Sequence, residues 1–240
     1  VLAGAKHIFS ISQSSSQDLL DITPEIDPEN ITTTHLGVDA VFFKHLHRIP
    51  LSHKPYFLYV GNREIYKNFK RLLIAFGKSG LAEHFDLHIV SPMHSNLLAD
   101  EIPIVQEYGC GHAIKIRSNV SDLDLAQAYQ FSTAFVYPSE YEGFGLPILE
   151  AMASGTIVAT SNTSSMPEVG GNVPFYFDPM NVDDIAQKLI AISKLSNEAR
   201  LFFINAGIAR ATTFQWGSFH TKVNNVIARF MAKSSERLAM

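Results

Sequence analysis

The chain reads as an α/β protein: a parallel β-sheet with helices on both faces, followed by a helical tail. Three observations predict this. From Tyr56 onward, short apolar runs rich in strand formers alternate with amphipathic helical stretches, as repeated strand-helix units do. A glycine turn follows one of those runs and leads straight into a helix, and after Ser196 no further strand pattern occurs.

The elements follow in order. Before Pro55 the text is irregular: Ile8-Phe9-Ser10-Ile11-Ser12 predicts a short strand, Ser14-Ser15-Ser16 a helix cap, and the Pro- and acid-rich stretch Asp21 to Asn30 a linker. The strand runs are Tyr56 to Val60, Asp86 to Val90, Ala113 to Ile116, Ala134 to Tyr137, Thr156 to Thr160 and Phe175 to Phe177. Helices are expected to start near Asn68, Asn96, Asp122, Pro147 and Asn181. The last, Gln215 to Lys233, carries the apolar stripe Phe219, Val223, Val226, Ile227 and Phe230, which suits packing better than a membrane surface. There is no internal repeat and no low-complexity segment. The domain organisation read from this is residues 1–54 as the remnant of an N-terminal domain with its linker, 55–214 as a ligand-binding α/β domain, and 215–240 as a C-terminal helix.

Composition narrows the class. The 240 residues are 46% hydrophobic and 18% charged, with a net charge of −4 and scattered basic residues, so no nucleic-acid surface is expected. Cys110 is the single cysteine, which excludes an internal disulfide framework and fits a reducing compartment. The expected location is the cytoplasm, with a peripheral position at the inner membrane face as a variant. No apolar run is long enough to span a bilayer. Val1-Leu2-Ala3-Gly4-Ala5-Lys6 has neither a signal-peptide layout nor an initiator Met, so the chain is read as a fragment.

The most informative stretch is Glu142-Gly143-Phe144-Gly145-Leu146-Pro147-Ile148-Leu149-Glu150. Two carboxylates eight positions apart flank a glycine turn that runs into a helix. Gly143 and Gly145 let the backbone approach a ligand or adopt positive φ, and Pro147 fits the start of a helix, where its missing N–H costs nothing. The helix begins near Leu146, and its unpaired amides and positive dipole end face an anion held by the turn. Glu150 is expected in the first turn, leaning back toward the helix start. A phosphorylated sugar suits this layout. A helix-start acid also gains about 0.3–1 kcal/mol from the dipole alone, so Glu150 has a purely structural reading as well. Glu142, in the turn, has less structural reason to be acidic.

A second constellation, Gly61-Asn62-Arg63-Glu64-Ile65-Tyr66-Lys67-Asn68, follows the first regular strand. Ligands of parallel sheets lie at the carboxyl ends of the strands. Gly61 ends the strand there, Arg63 offers a planar fork and Lys67 a point charge for a diphosphate, and Asn68 is expected to cap the next helix. Taken alone, Arg63, Lys67 and Lys70 read as a solvated loop face.

Three blocks together carry a family resemblance. They are Gly61…Arg63…Lys67-Asn68…Leu72-Leu73-x-Ala75-Phe76, then Tyr137-Pro138-Ser139 through the glutamate motif to Ala151-Met152-Ala153-x-Gly155, then Pro167-Glu168-Val169-x-Gly171. The chain resembles the retaining nucleotide-sugar glycosyltransferases of group 1, or family 4. His35-Leu36-Gly37-Val38-Asp39 and the Ser10 to Leu19 stretch resemble the end of that family's first domain and its interdomain segment.

The resemblance implies the C-terminal, Rossmann-like half of a GT-B fold, acting with an N-terminal Rossmann-like domain that lies outside these residues. It implies transfer of a sugar from a nucleotide-diphosphate donor to an acceptor hydroxyl, glycan or lipid-linked, with retention of configuration and as part of polysaccharide biosynthesis. Arg63 and Lys67 match the positions that hold the pyrophosphate and stabilise the leaving group. Glu142 matches the acid that contacts the donor sugar, and Glu150 the one that holds the ribose. Gly61 and the backbone of Gly143, Phe144, Gly145 and Leu146 match positions around sugar and phosphate. Ile116 and Arg117 begin the stretch, through Val120, where the base packs. The side chains of Phe144 and Leu146 are expected in the core. No cofactor and no metal are implied, and the fragment alone is expected to bind donor without transferring sugar. Ser91-Pro92-Met93-His94 stands where most members carry a glycine, so that loop is expected to differ in shape.

Other signals carry less. Asp122-Leu123-Asp124 has the form of a cation-binding Asp-x-Asp but reads as a helix start, and the ten histidines, His45 and His47 among them, show no ligand spacing. The competing reading is a non-catalytic nucleotide-sugar-binding module. A sugar-nucleotide epimerase would need acid/base groups that the sequence does not offer.

Overall fold

The computed structural model describes residues 4–44 and 54–238, with side chains of the last helix described as far as residue 232. His45 and His47 and the expected boundary near residue 54 fall in or beside residues outside that description.

Six strands form one parallel sheet. They are β3 (Tyr56–Val60), β4 (Asp86–Val90), β5 (Ile114–Arg117), β6 (Ala134–Tyr137), β7 (Val158–Ser161) and β8 (Phe175–Phe177), in the order β5-β4-β3-β6-β7-β8. The chain therefore runs outward from β3 to β5, returns to the other side of β3, and runs outward again to β8. In open parallel sheets the ligand crevice lies at the carboxyl ends where that direction reverses, which here is between β3 and β6. A separate pair, β1 (Ile8–Ser10) and β2 (Ile31–Thr33), is also parallel and is joined by α1 (Gln13–Ile22).

Strand alternation sends side chains to two cores. Phe57, Tyr59, Leu87, Ile89, Ala134 and Val136 pack beneath α2 (Phe69–Lys78) and α7 (Val182–Ser193). Tyr56, Leu58, Phe135 and Tyr137 pack on the opposite face against α4 (Asp122–Gln130) and α5 (Leu146–Ala153). The central strands β3 and β6 are buried on both faces, which is why they read as continuous apolar runs, whereas the edge strand β5 alternates half-buried Ile with exposed Lys115 and Arg117. The tail is α8 (Asn197–Ala211), which packs on α5, and α9 (Trp216–Leu238). Among the described residues no helix is long and apolar enough to cross a membrane.

Four local expectations are corrected. The cap of α1 is Ser12, whose hydroxyl accepts from the Ser15 amide; Ser14 to Ser16 lie inside the helix. No helix starts at Asn96: α3 (Ile102–Glu107) begins six residues later, because residues 91–101 form a loop anchored on Arg63. Asn68 precedes α2 but does not cap it. It adopts a left-handed conformation (φ 58°), and its amide donates to the carbonyls of Pro138 and Pro179 at 2.9 and 2.7 Å, tying two loops together. Glu150 is the fifth residue of α5, which has no acid in its first turn. The helix-dipole explanation for that acid therefore weakens. Asp122 and Asp124 open α4, capped by Ser121, as read from sequence.

Candidate functional site

The two loops at the crevice touch each other. Lys67, at the end of a short 3-10 turn after β3, places its ammonium 2.7 Å from a carboxylate oxygen of Glu142 in the turn after β6. Both side chains are largely shielded, at 16% and 13% exposed, so this pair is worth more than a surface bridge. The Lys67 ammonium also lies 5.7 Å from the Tyr137 ring centre. The Tyr137 hydroxyl is held protonated above its ordinary range, first by burial and then by the Glu142 carboxylate. Two further contacts close the join: Tyr66 accepts from the Glu140 amide at 2.8 Å, and Arg71 pairs with Glu140 at 2.6 Å.

Arg63 departs from the expectation of a cation open to the crevice. Its guanidinium is fully buried, donating from Nη1 to Glu101 at 2.7 Å and from Nη2 to the Asn96 carbonyl at 2.6 Å. Glu101 is 1% exposed and also accepts from the Leu98 amide. Burial pushes its carboxyl above the usual range even beside the guanidinium. The charges of Arg63, Glu101 and Glu142 all act on the buried Tyr59 hydroxyl, which places them around one edge of the sheet.

Glu150 lies on the far side of the same edge. It accepts a 3.1 Å hydrogen bond from Tyr129, and its carboxyl is pushed up to about 7, chiefly by burial and further by Asp122, while the Tyr129 hydrogen bond pulls it down. The structure thus joins Lys67 directly to Glu142, whereas Arg63 pairs with Glu101 and Glu150 with Tyr129. Ile116 and Arg117 end β5, with Ile116 packed against the core and Arg117 exposed. Gly61 has φ 143° and Gly145 φ 103°, conformations that favour glycine. Phe144 is buried against His35 and Phe214, and Leu146 also packs inward.

The glycine turn is held from behind. The Ser164 hydroxyl donates to the Glu142 carbonyl (2.7 Å), and Ser12 and Ser15 donate to that of Gly143 (2.7 and 3.0 Å). Ser165 Oγ lies 2.8 Å from the carbonyls of both Glu142 and Phe144. In a planar trans peptide the next amide points the opposite way. The N–H groups of Gly143, Phe144 and Gly145 therefore point opposite to the carbonyls that the serines hold. Backbone amides of a glycine turn that leads into a helix are groups that can bind an anion.

The family model for glycosyl transferases group 1 matches residues 44–210. The chain belongs to the group 1 glycosyltransferases. It is similar to O-antigen chain mannosyltransferase B of Escherichia coli, 30% identical over 93% of this chain and 61% of that protein. It is also similar to the serotype-specific mannosyltransferase WbdA of Escherichia coli, 27% identical over 97% of this chain and 30% of that protein. The chain therefore spans about three fifths or less of these relatives. In fold it matches sucrose-phosphate synthase of Thermosynechococcus elongatus with a TM-score of 0.83 at 21% identity, over 97% of this chain and 60% of that one. That match supports the GT-B assignment.

Sequence reading of this group 1 domain missed three parts of the edge. Glu101 lay in a stretch read as helical. Tyr137 was treated as strand filling. The serine pair Ser164-Ser165 follows β7 at the same edge as the glycine turn, and that placement was the available signal. Among the described residues no three His, Cys, Asp or Glu side chains gather closely enough to hold a metal ion.

Proposed function

We propose that this chain is the donor-binding part of a mannosyltransferase that moves mannose from a nucleotide-diphosphate donor to an acceptor hydroxyl in polysaccharide synthesis, with retention of configuration. The observation that carries the reading is the Lys67–Glu142 contact at the point where the sheet reverses direction, with the glycine turn 143–145 following directly on Glu142. The mannose assignment follows the two relatives. Lys67 neutralises the diphosphate as charge develops on it, and the amides of 143–145 supply fixed dipoles that need no reorganisation. Glu142 leaves Lys67 in part to accept from a sugar hydroxyl, and Tyr137 steadies it. Glu150 accepts from the ribose. Arg63 contributes field from behind Glu101. The proton of the acceptor passes to a leaving phosphate oxygen, so the protein chiefly orients and stabilises charge.

In this reading residues 1–54 belong with a preceding Rossmann-like domain that supplies the acceptor wall, and the 240 residues alone bind donor without transferring it. No metal is needed, and the work is done in the cytoplasm or at the inner membrane face. Calorimetric titration with GDP, UDP, ADP and their sugars tests the reading. One nucleotide sugar should bind the wild type and lose affinity in Lys67→Ala and Glu150→Ala. Equal binding to all three proteins, or to none, overturns it.

A further inference from the structure

Glu168 has a place in the sequence motif but no role in the chemistry above. It opens the short helix α6 (Met166–Gly170), yet its carboxylate turns to α1. It accepts from the Gln13 amide through both oxygens (2.8 and 2.9 Å) and from the Ser14 amide at 3.2 Å. α1 carries no acid in its own first turn, so Glu168 supplies from another segment the negative charge that this helix start favours. His35 Nε2 lies 2.6 Å from the same carboxylate, and its ring stacks on Phe144 at 5.9 Å.

The helix end fixed in this way is the one that grips the glycine turn. Ser12 and Ser15 both donate to the Gly143 carbonyl, and Asp18 accepts from the Tyr141 hydroxyl. Contacts from α1 and its cap thus bear on residues 141 and 143, on either side of Glu142, and His35, after β2, bears on 144. We propose that Glu168 is a positioning residue for the donor sugar: by seating α1 on the turn, it fixes the Gly143 carbonyl and so aims Glu142 and the amides that follow. The inference rests on the proposed function, because it presumes that Glu142 meets the sugar.

The competing role is stabilisation of α6 by an acid in its own first turn, and the two differ in what they move. Calorimetry with GDP and with GDP-mannose on the wild type, Glu168→Ala, Glu168→Gln and Ser12→Ala, with thermal melts to confirm folding, separates them. Glu168→Ala should weaken GDP-mannose about tenfold more than GDP, the loss expected for one charge-assisted hydrogen bond, and Ser12→Ala, which removes a neutral one, about fivefold more. Glu168→Gln keeps an acceptor for one amide and should fall between the wild type and Glu168→Ala. Equal losses for the two ligands, or a lower melting temperature with an unchanged GDP-mannose to GDP ratio, leave Glu168 a structural acid and overturn the proposal. A wild type that binds neither ligand counts against the mannose-donor reading itself and is seen before any variant is made.

Discussion

The two loops that meet at the crevice are built on opposite electrostatic plans. In the turn after β6, neutral serine hydroxyls satisfy the carbonyls of residues 142–144. In the loop after β3, both cations are already neutralised, Arg63 by Glu101 and Lys67 by Glu142. Under the proposed function the first loop offers backbone amides to the phosphate, while the second must exchange a carboxylate for it. The exchange is easier for Lys67, whose pair with Glu142 keeps some access to solvent, than for Arg63, whose partner is sealed in the fold.

That difference predicts distinct consequences for the two cations. Arg63→Met strands Glu101 as a buried carboxylate, and breaking such a pair costs about 3–5 kcal/mol. Chemical denaturation should register this as a large loss of stability, and a loss below about 1 kcal/mol would mean that water already reaches the pair. Lys67→Met should cost less stability and more function: removing one partner of a shielded ionic contact weakens donor binding by about 2–3 kcal/mol. Titration of the two variants would then rank them in opposite order for stability and affinity.

The flank held by Glu150 titrates near neutrality. Its carboxyl is raised to about 7 in the folded chain, from an ordinary 4.5, so its contribution to stability is fully present below about 4.5 and is lost as pH rises through about 7. Under the proposed function a ribose hydroxyl donates to Glu150, and the ionised carboxylate is much the stronger acceptor. Donor affinity should therefore climb by up to about tenfold between pH 6 and pH 8, with proton release on binding, since contact with the ligand favours the ionised group. Calorimetry in buffers of different ionisation enthalpy measures that proton. In Glu150→Gln both the slope and the proton should vanish; a slope that survives belongs to another group.

Much of this was legible in the chain, and what was not shares a cause. Runs such as Tyr56 to Val60 announced themselves because both faces of a parallel strand are buried, and Leu146-Pro147 marked its helix start because proline fits there. The direct meeting of Lys67 with Glu142 could be anticipated only through the family pattern, since 75 residues separate them. Glu101 was hidden because the loop after β4 is shaped by Arg63, a tertiary partner 38 positions away, and not by local propensity. Asn68 has the right residue type for a cap, but its amide is drawn off by two distant carbonyls. The serine hold on the glycine turn was invisible for a similar reason: Ser12 reaches Gly143 across 131 positions.

The finest test sets two buried serines of the same edge against each other. Ser165 is fully buried and within 2.8 Å of the carbonyls of Glu142 and Phe144, whereas Ser91, after β4 and equally buried, has no hydrogen-bond partner for its hydroxyl among the described residues. Ser164 still serves the Glu142 carbonyl when Ser165→Ala is made, so the carbonyl left bare is that of Phe144, at a cost of about 1 kcal/mol. Ser91→Ala removes a hydroxyl that gains nothing from its surroundings and should leave stability unchanged or slightly raised. Paired urea melts of the two variants measure the difference. If Ser91→Ala destabilised as much as Ser165→Ala, the β3–β4 side would hold its backbone with hydroxyls as the glycine turn does, and the contrast between a serine-held loop and a neutralised one would fail at the point where it is smallest.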